Sequence, residues 1–237
     1  MFQLKVEIWS DYQCPFCYIG KRRFEKALEQ FDHKSDVEVV FRSFELDPNA
    51  KRDNKVNMYE MLAGKYGMSL EQAKAQTDSI LQQAKAEGLE YRFDKMILTN
   101  SFDAHRLLHF AAANGKEKEM NELLFKAYFT NTLHIGRQEV LTALAAEAGL
   151  DPIETKVMLE SDRYTSEVRA DEQEGSKLGI TGVPFFVIDR KYGISGAQPT
   201  EIFINTLKKA WEEDELQLIS GNESEGGSCT DDSCTNE

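Results

Sequence analysis

Cysteine is scarce in this 237-residue chain: there are four, beside five prolines, four histidines and two tryptophans. A chain of this length can bury its own core and does not need a disulfide framework. Apolar runs approaching the roughly 18 residues of a membrane span are missing. The opening stretch, Met1 to Lys5, lacks a charged start followed by an apolar segment and leads directly into a strand pattern. The expected compartment is therefore the cytoplasm, with no membrane partner. A basic stripe is missing too. The formal net charge is -13, but residues 210–237 hold nine acidic residues and no Lys or Arg, leaving 32 acidic against 28 basic residues elsewhere. Neither part offers the cationic surface that phosphate backbones or anionic lipids require, so nucleic acid is not an expected partner.

What stands out against this background is Cys14-Pro15-Phe16-Cys17, which follows the apolar-alternating run Val6-Glu7-Ile8-Trp9 and opens a helical pattern. In a reducing compartment such a pair is catalytic or redox-sensing more often than structural. The first N–H groups of a helix have no partner within it, and they and the helix dipole favour negative charge on a sulfur placed there. That marks Cys14 as the nucleophile. Cys17, one turn further in, is placed to resolve the mixed disulfide. Pro15 has the φ a first helical turn needs. Two cysteines three apart are also half of many zinc sites. A metal reading would require a second ligand pair, and Cys229 and Cys234 lie in a tail without apolar periodicity, so no metal is expected.

Residues 3–10 and 37–44 read as parallel strands around a helix carrying Ile19, Phe24, Ala27, Leu28 and Phe31 at helical spacing. Pro184 to Ile188 and Tyr192 to Gly196, separated by Asp189-Arg190-Lys191, read as a hairpin. A last helix begins near Gln198-Pro199-Thr200. Between these parts, residues 48–177 are helical in pattern. Ser69-Leu70-Glu71-Gln72 and Asp151-Pro152-Ile153-Glu154 have capping-box character, and Gly88, Gly115, Gly136 and Gly149 serve as punctuation. The expected architecture is α/β: a small mixed sheet from residues 1–47 plus 178–217, an all-helical insertion over 48–177, and a flexible acidic tail over 218–237.

Four blocks in this order resemble a known family: Ser10-Asp11 before the cysteine pair, Asn100 to Leu107, Gly182 to Val187, and Ile194 to Gln198. They are similar to thioredoxin-fold proteins of the DsbA type. Within these they resemble the cytosolic FrnE-like group, which is related to 2-hydroxychromene-2-carboxylate isomerases and kappa-class glutathione transferases. The resemblance covers most of residues 3–215. It implies a thioredoxin fold with a mixed central sheet, and a redox-active disulfide with no other cofactor required. It also implies that Pro184 is a cis-proline facing the cysteines, with the Val183 backbone pairing with substrate; a trans proline at a strand start is the plain reading of the residue alone. The glutathione-dependent relatives typically carry Ser where this chain has Cys14, which favours electron exchange here. Phe16 offers a thiolate neither charge nor hydrogen bond, unlike the His often found there in strongly oxidising relatives. The couple is therefore expected to be less oxidising, nearer the thioredoxin and isomerase end of the roughly -270 to -120 mV scale.

The resemblance places Asn100 and His105 in the wall of the cleft, with His105 a candidate for substrate contact or proton transfer. His105 and His109 lie four apart on one helix face, and without a third ligand they read as half-buried imidazoles rather than a metal site. Asp11 can tune the thiols, though an Asp just before a helix is commonly its cap. Cys229 and Cys234 form an accessory dithiol candidate, similar to a second pair in some FrnE-like proteins. About ten flexible residues reach on the order of 16 to 19 Å, and the surrounding carboxylates make these thiols slower nucleophiles than Cys14. The function expected from all this is a thiol–disulfide oxidoreductase or protein disulfide isomerase acting on protein or peptide disulfides. Glutathione or a thioredoxin system is the expected thiol reductant. The alternatives are a glutathione-dependent small-molecule isomerase or transferase, and a non-enzymatic redox-sensing adaptor.

Overall fold

The run Leu-Lys-Val-Glu-Ile-Trp-Ser forms β1 (Leu4–Ser10), buried at every position but Lys5, as a strand covered on both faces must be. β2 (Val37–Ser43) lies parallel to it, with Leu4 opposite Val37 and Ser10 opposite Ser43. β3 (Phe185–Ile188) runs antiparallel on the other side of β1, and β4 (Tyr192–Ser195) completes the order β2-β1-β3-β4. This computed structural model describes residues 3–54 and 56–221, without the side chains of 214–221. Most of the expected tail, with Cys229 and Cys234, lies outside those residues.

A parallel pair needs a crossover, and α1 (Pro15–Glu29) supplies it. The helix starts four residues before Ile19, the first apolar position of the sequence pattern, because Cys14 takes an extended conformation as N-cap and Pro15 fills the first helical turn. One face of the sheet packs on α1 and on α9 (Thr200–Gly221), where Phe24, Phe186 and Phe203 meet edge-on or tilted at 4.7 to 5.8 Å. The opposite face carries Trp9, which packs with Ile180 and Val187 and donates its indole N–H to the Asp171 carbonyl at 2.8 Å. There α8 (Thr165–Lys177) comes so close that a Cβ at Gly175 would stand 2.9 Å from the indole nitrogen.

Six further helices precede α8 between β2 and β3: α2 (Met58–Tyr66), α3 (Leu70–Ala86), α4 (Phe102–Ala113), α5 (Glu117–Phe129), α6 (Gln138–Glu147) and α7 (Pro152–Glu160). Ser69 and Gln72 form the reciprocal capping box their spacing suggests. Asp151 instead caps one way, accepting from the N–H groups of Ile153 and Glu154. A second full box, Asn57 with Glu60, starts α2. The helical block shares its core with the sheet. Tyr18 of α1 stacks on Phe125 of α5 at 5.0 Å, and Tyr91 on Phe129 at 4.5 Å.

Ion pairs reinforce that junction. Glu122 of α5 accepts from the Tyr18 hydroxyl at 2.6 Å and pairs with Arg22 and the buried Lys21 at 2.7 and 2.5 Å. Burial acts to raise the Glu122 carboxyl, and the surrounding cations and hydroxyl outweigh it, bringing it down to about 2. A carboxyl held below its ordinary value of 4.5 contributes stability above that pH and loses it as pH falls toward 2. Urea titrations of wild type and Glu122→Gln should therefore differ most at neutral pH and converge in that window.

Candidate active site

The site forms where β1 ends. The Asp11 carbonyl accepts from the Cys14 N–H at 3.0 Å, turning the chain into α1, with Cys14 as its N-cap. No side chain caps this helix. Asp11, a natural cap by sequence, instead receives the backbone N–H of Gln13 at 3.1 Å on one oxygen and that of Leu46 at 2.8 Å on the other. It ties the loop after β2 to the cysteine turn, because Cys14 itself occupies the cap position.

Both thiols are free. Cys14 is 5% exposed and Cys17 1%, so an incoming sulfur meets Cys14 first. The Cys14 thiol points to the Val183 carbonyl at 3.4 Å, and the Val183–Pro184 peptide bond is cis. Pro184 is buried and its carbonyl accepts from the Gly196 N–H at 2.8 Å. Burial, with the Cys14 hydrogen bond and charge added, pushes the Cys17 thiol well above its ordinary range, against a lowering contribution from the Asp11 N–H, which donates to its sulfur at 3.4 Å. The turn thus holds a nearly covered outer sulfur against backbone and a deeper one that resists ionisation. That arrangement suits attack by the first and delayed release by the second.

Around this pair stand groups that the sequence did not single out. Tyr91, from the segment after α3, donates to the Pro15 carbonyl at 2.7 Å and is itself pushed upward by burial. Gln13 donates to Ser101 Oγ at 3.3 Å. A groove of about 490 Å³ runs from Gln13 past Leu46, Met61 and Leu98, with Lys51 and Lys65 on its rim. Phe16 stands 36% exposed at the mouth of the site.

The candidates of the cleft wall take different places. Asn100 is half-buried, accepts the Phe102 N–H at 2.8 Å in the turn ahead of α4, and reaches Glu45 at 3.4 Å. His105 is 1% exposed, and its Nε2 faces Asp11 Oδ1 at 3.6 Å. The helix face that carries His105 packs inward, against the Asp11-Tyr12 segment. His109 turns elsewhere, with Nε2 at 3.1 Å from both Ser43 Oγ and Asp171, so the two imidazoles share no ligand. Among the described residues no group of three or more His, Cys, Asp or Glu side chains is placed to hold a metal ion. None of the described helices is long and apolar enough to cross a membrane.

The fold and this site together define a thioredoxin-fold protein with a dithiol centre at the start of its first helix. Residues 5–208 match the model of the DSBA-like thioredoxin domain, and the chain belongs to that family. It is 34% identical over 201 residues to the uncharacterized protein YwbO of Bacillus subtilis, covering 84% of this chain and 92% of that one. The crystal structure of a probable DsbA oxidoreductase from Streptomyces coelicolor superposes with a TM-score of 0.86 at 49% identity, covering 89% of this chain and 91% of that one. The cytosolic disulfide reductase DsbM of Pseudomonas aeruginosa, solved with GSH, shares the fold at 16% identity, with a TM-score of 0.58 and 91% and 99% of the two chains covered.

The packing of α1 against the Pro184 loop sets the distance between the cysteines and Val183. A Cβ at Gly20 would stand 3.0 Å from Pro184 Cγ and 3.4 Å from Phe186 and from the Ala197 backbone. Gly20→Ala should cost about 1–3 kcal/mol as overpacking, read by urea denaturation, and should slow thiol exchange at Cys14.

Proposed function

We propose that this chain is a thiol–disulfide oxidoreductase of the protein disulfide isomerase type, acting on protein or peptide disulfides. The observation that carries this reading is a free Cys14 at the N-cap of α1, 3.4 Å from the Val183 carbonyl, with the free Cys17 one turn behind it. The Cys14 thiolate attacks one sulfur of a substrate disulfide, forming a mixed disulfide and expelling the other sulfur as a thiolate. Cys17, once deprotonated, then attacks Cys14 Sγ, closing the Cys14–Cys17 disulfide and releasing the second substrate thiolate. Two electrons pass from the dithiol to the substrate, and both released thiolates are protonated. In isomerisation the mixed disulfide is instead attacked by another substrate thiol, and Cys14 leaves reduced.

Val183 and Pro184 serve as the substrate-facing backbone in this reading. An extended peptide laid across the Val183 carbonyl would use hydrogen bonds that do not depend on its side chains. Low-molecular thiols of the glutathione class are the proposed reductant, supported by the fold shared with a cytosolic disulfide reductase solved with GSH. The FrnE-like assignment and a cytoplasmic setting belong to the same proposal, supported by the four sequence blocks that carry the resemblance. Cys229 and Cys234 are assigned to an accessory dithiol that exchanges with the primary pair.

Catalysed reduction of insulin and refolding of scrambled ribonuclease test the proposal. Cys14→Ser should abolish both. Cys17→Ser should accumulate a mixed disulfide at Cys14, detectable by mass. Glutathione-dependent turnover of an aromatic substrate that survives Cys14→Ser would overturn the reading in favour of a small-molecule isomerase.

The exposed Phe16 leaves the Cys14 sulfur without a charged or hydrogen-bonding neighbour from the dipeptide. Equilibration with glutathione should place the wild-type couple below about -180 mV, and Phe16→His should raise it by some tens of mV.

A further inference from the structure

The edge of the sheet carries a cavity that the dithiol chemistry does not use. β2 is an edge strand in the order β2-β1-β3-β4, and between it and α1 lies a gap of about 120 Å³ lined by Phe24, Leu28, Val39 and Phe41. Phe24 and Phe41 are buried, while Leu28 and Val39 are half-buried at its opening. Apolar cavities of about 150 Å³ exclude water and admit molecules the size of benzene. An apolar body placed in this gap would gain dispersion contacts from two aromatic rings and two branched side chains. Beyond Leu28 the wall turns charged, with Arg22, Lys26, Glu29 and Lys34 along α1 and the turn that follows it, so the apolar space is bounded.

The charges at the opening favour an anion. Lys21, Glu25 and Lys118 complete the lining. Lys21 is committed to Glu25 at 2.6 Å and Glu122 at 2.5 Å, and Glu25 also pairs with Arg22 at 2.8 Å. Lys118 is exposed on the first turn of α5 and makes no ion pair among the described residues. Glu117, which the Lys118 charge reaches, accepts from the Phe41 N–H at 3.1 Å. That bond also blocks the strand edge: with the Ser43 N–H given to Asp171 at 2.9 Å, the C-terminal half of β2 cannot take on another strand there. A small molecule fits this opening and an extended peptide does not.

We infer that the gap between α1 and β2 binds a short aliphatic carboxylate. Its chain, about five or six carbons by comparison with the benzene-sized cavities above, lies against Phe24, Leu28, Val39 and Phe41, and its anion meets the Lys118 ammonium. The ligand would wedge the crossover helix against the edge strand. The site stands apart from the dithiol: Phe24 is about 15 Å along α1 from Cys14 at the helical rise. The inference therefore does not depend on the reading of the cysteines, and occupancy should leave Cys14 accessible.

Thermal unfolding of the full chain with straight-chain carboxylates from butanoate to decanoate tests the site, because a ligand that binds only the folded chain raises Tm with its concentration. Affinity should rise about fourfold per methylene, the equivalent of about 0.8 kcal/mol, and level off near hexanoate once the gap is filled. The alcohol of the same length should bind about threefold more weakly and the amine more weakly still, as expected for one exposed ion pair. Lys118→Glu should erase the preference for the carboxylate, and Val39→Phe, which fills the gap, should remove the shift. Should Val39→Phe fail to fold, Lys118→Glu and the chain-length series decide. Affinity that keeps climbing to decanoate, as in surfactant adsorption, or equal binding of carboxylate and amine, would overturn the site. So would the absence of any shift at millimolar hexanoate. Protection of Cys14 from iodoacetamide by hexanoate would place the ligand in the groove beside Gln13 and overturn it as well.

Discussion

The closeness of α1 to the loop before β3 is the constraint on which the rest depends. Gly20 has no side chain to hold the helix off Pro184, and that contact lets the Cys14 thiol reach the Val183 carbonyl from the neighbouring segment. The helix cannot drift along this surface, because Phe24 is locked between Phe186 and Phe203 on the same side. A reactive sulfur at a helix start is exposed to the dipole whatever its surroundings. The fixed separation from a backbone acceptor turns that sulfur into a site, since a peptide docking beside it meets the same carbonyl geometry each time.

The helical block is bound into the chemistry more closely than an inserted lid would be. Its helices share one apolar core with the sheet through Tyr18, Phe125 and Phe129, and Tyr91 reaches back to the Pro15 carbonyl at the cysteine turn. Arg23 of α1 joins the same junction, pairing with Glu87 at 2.7 Å while donating to the Ala197 carbonyl at 2.5 Å. Exposed ion pairs contribute little on their own. These are partly covered and arranged in networks across an apolar seam, so their role is to fix register between packed surfaces already held by burial.

How much of this could be read from the sequence follows the range of the interactions. The strands, the crossover helix, the hairpin and the Ser69 capping box depend on periodicity and nearest neighbours, and they stand within a residue or a few of where the pattern puts them. The Cys-Pro-Phe-Cys turn was legible for the same reason. Tyr91, Gln13 and Glu45 were not, because each reaches its partner across more than fifty residues of chain. Asp11 shows the limit most clearly. Its position just before a helix fits a cap, yet its carboxylate is drawn to Leu46 by the pairing of β1 with β2. Periodicity likewise gave the face of α4 that carries His105, but not that the Asp11-Tyr12 turn would cover it.

The two sides of the sheet divide the charged groups between structure and chemistry. Glu7 and Asp171, on the Trp9 side, are saturated: Glu7 by two arginines, and Asp171 by Arg42, His109 and the Ser43 N–H, so that both carboxyls are held below their ordinary values despite burial. Groups so fully paired are poor acceptors for a further proton. The cysteine side is the reverse. Asp11 accepts from backbone N–H groups, and the His105 imidazole facing it at 3.6 Å makes no hydrogen bond. The charges on the Trp9 face are committed to holding the sheet and α8 together, while Asp11 holds the loop after β2 against the cysteine turn through backbone N–H groups.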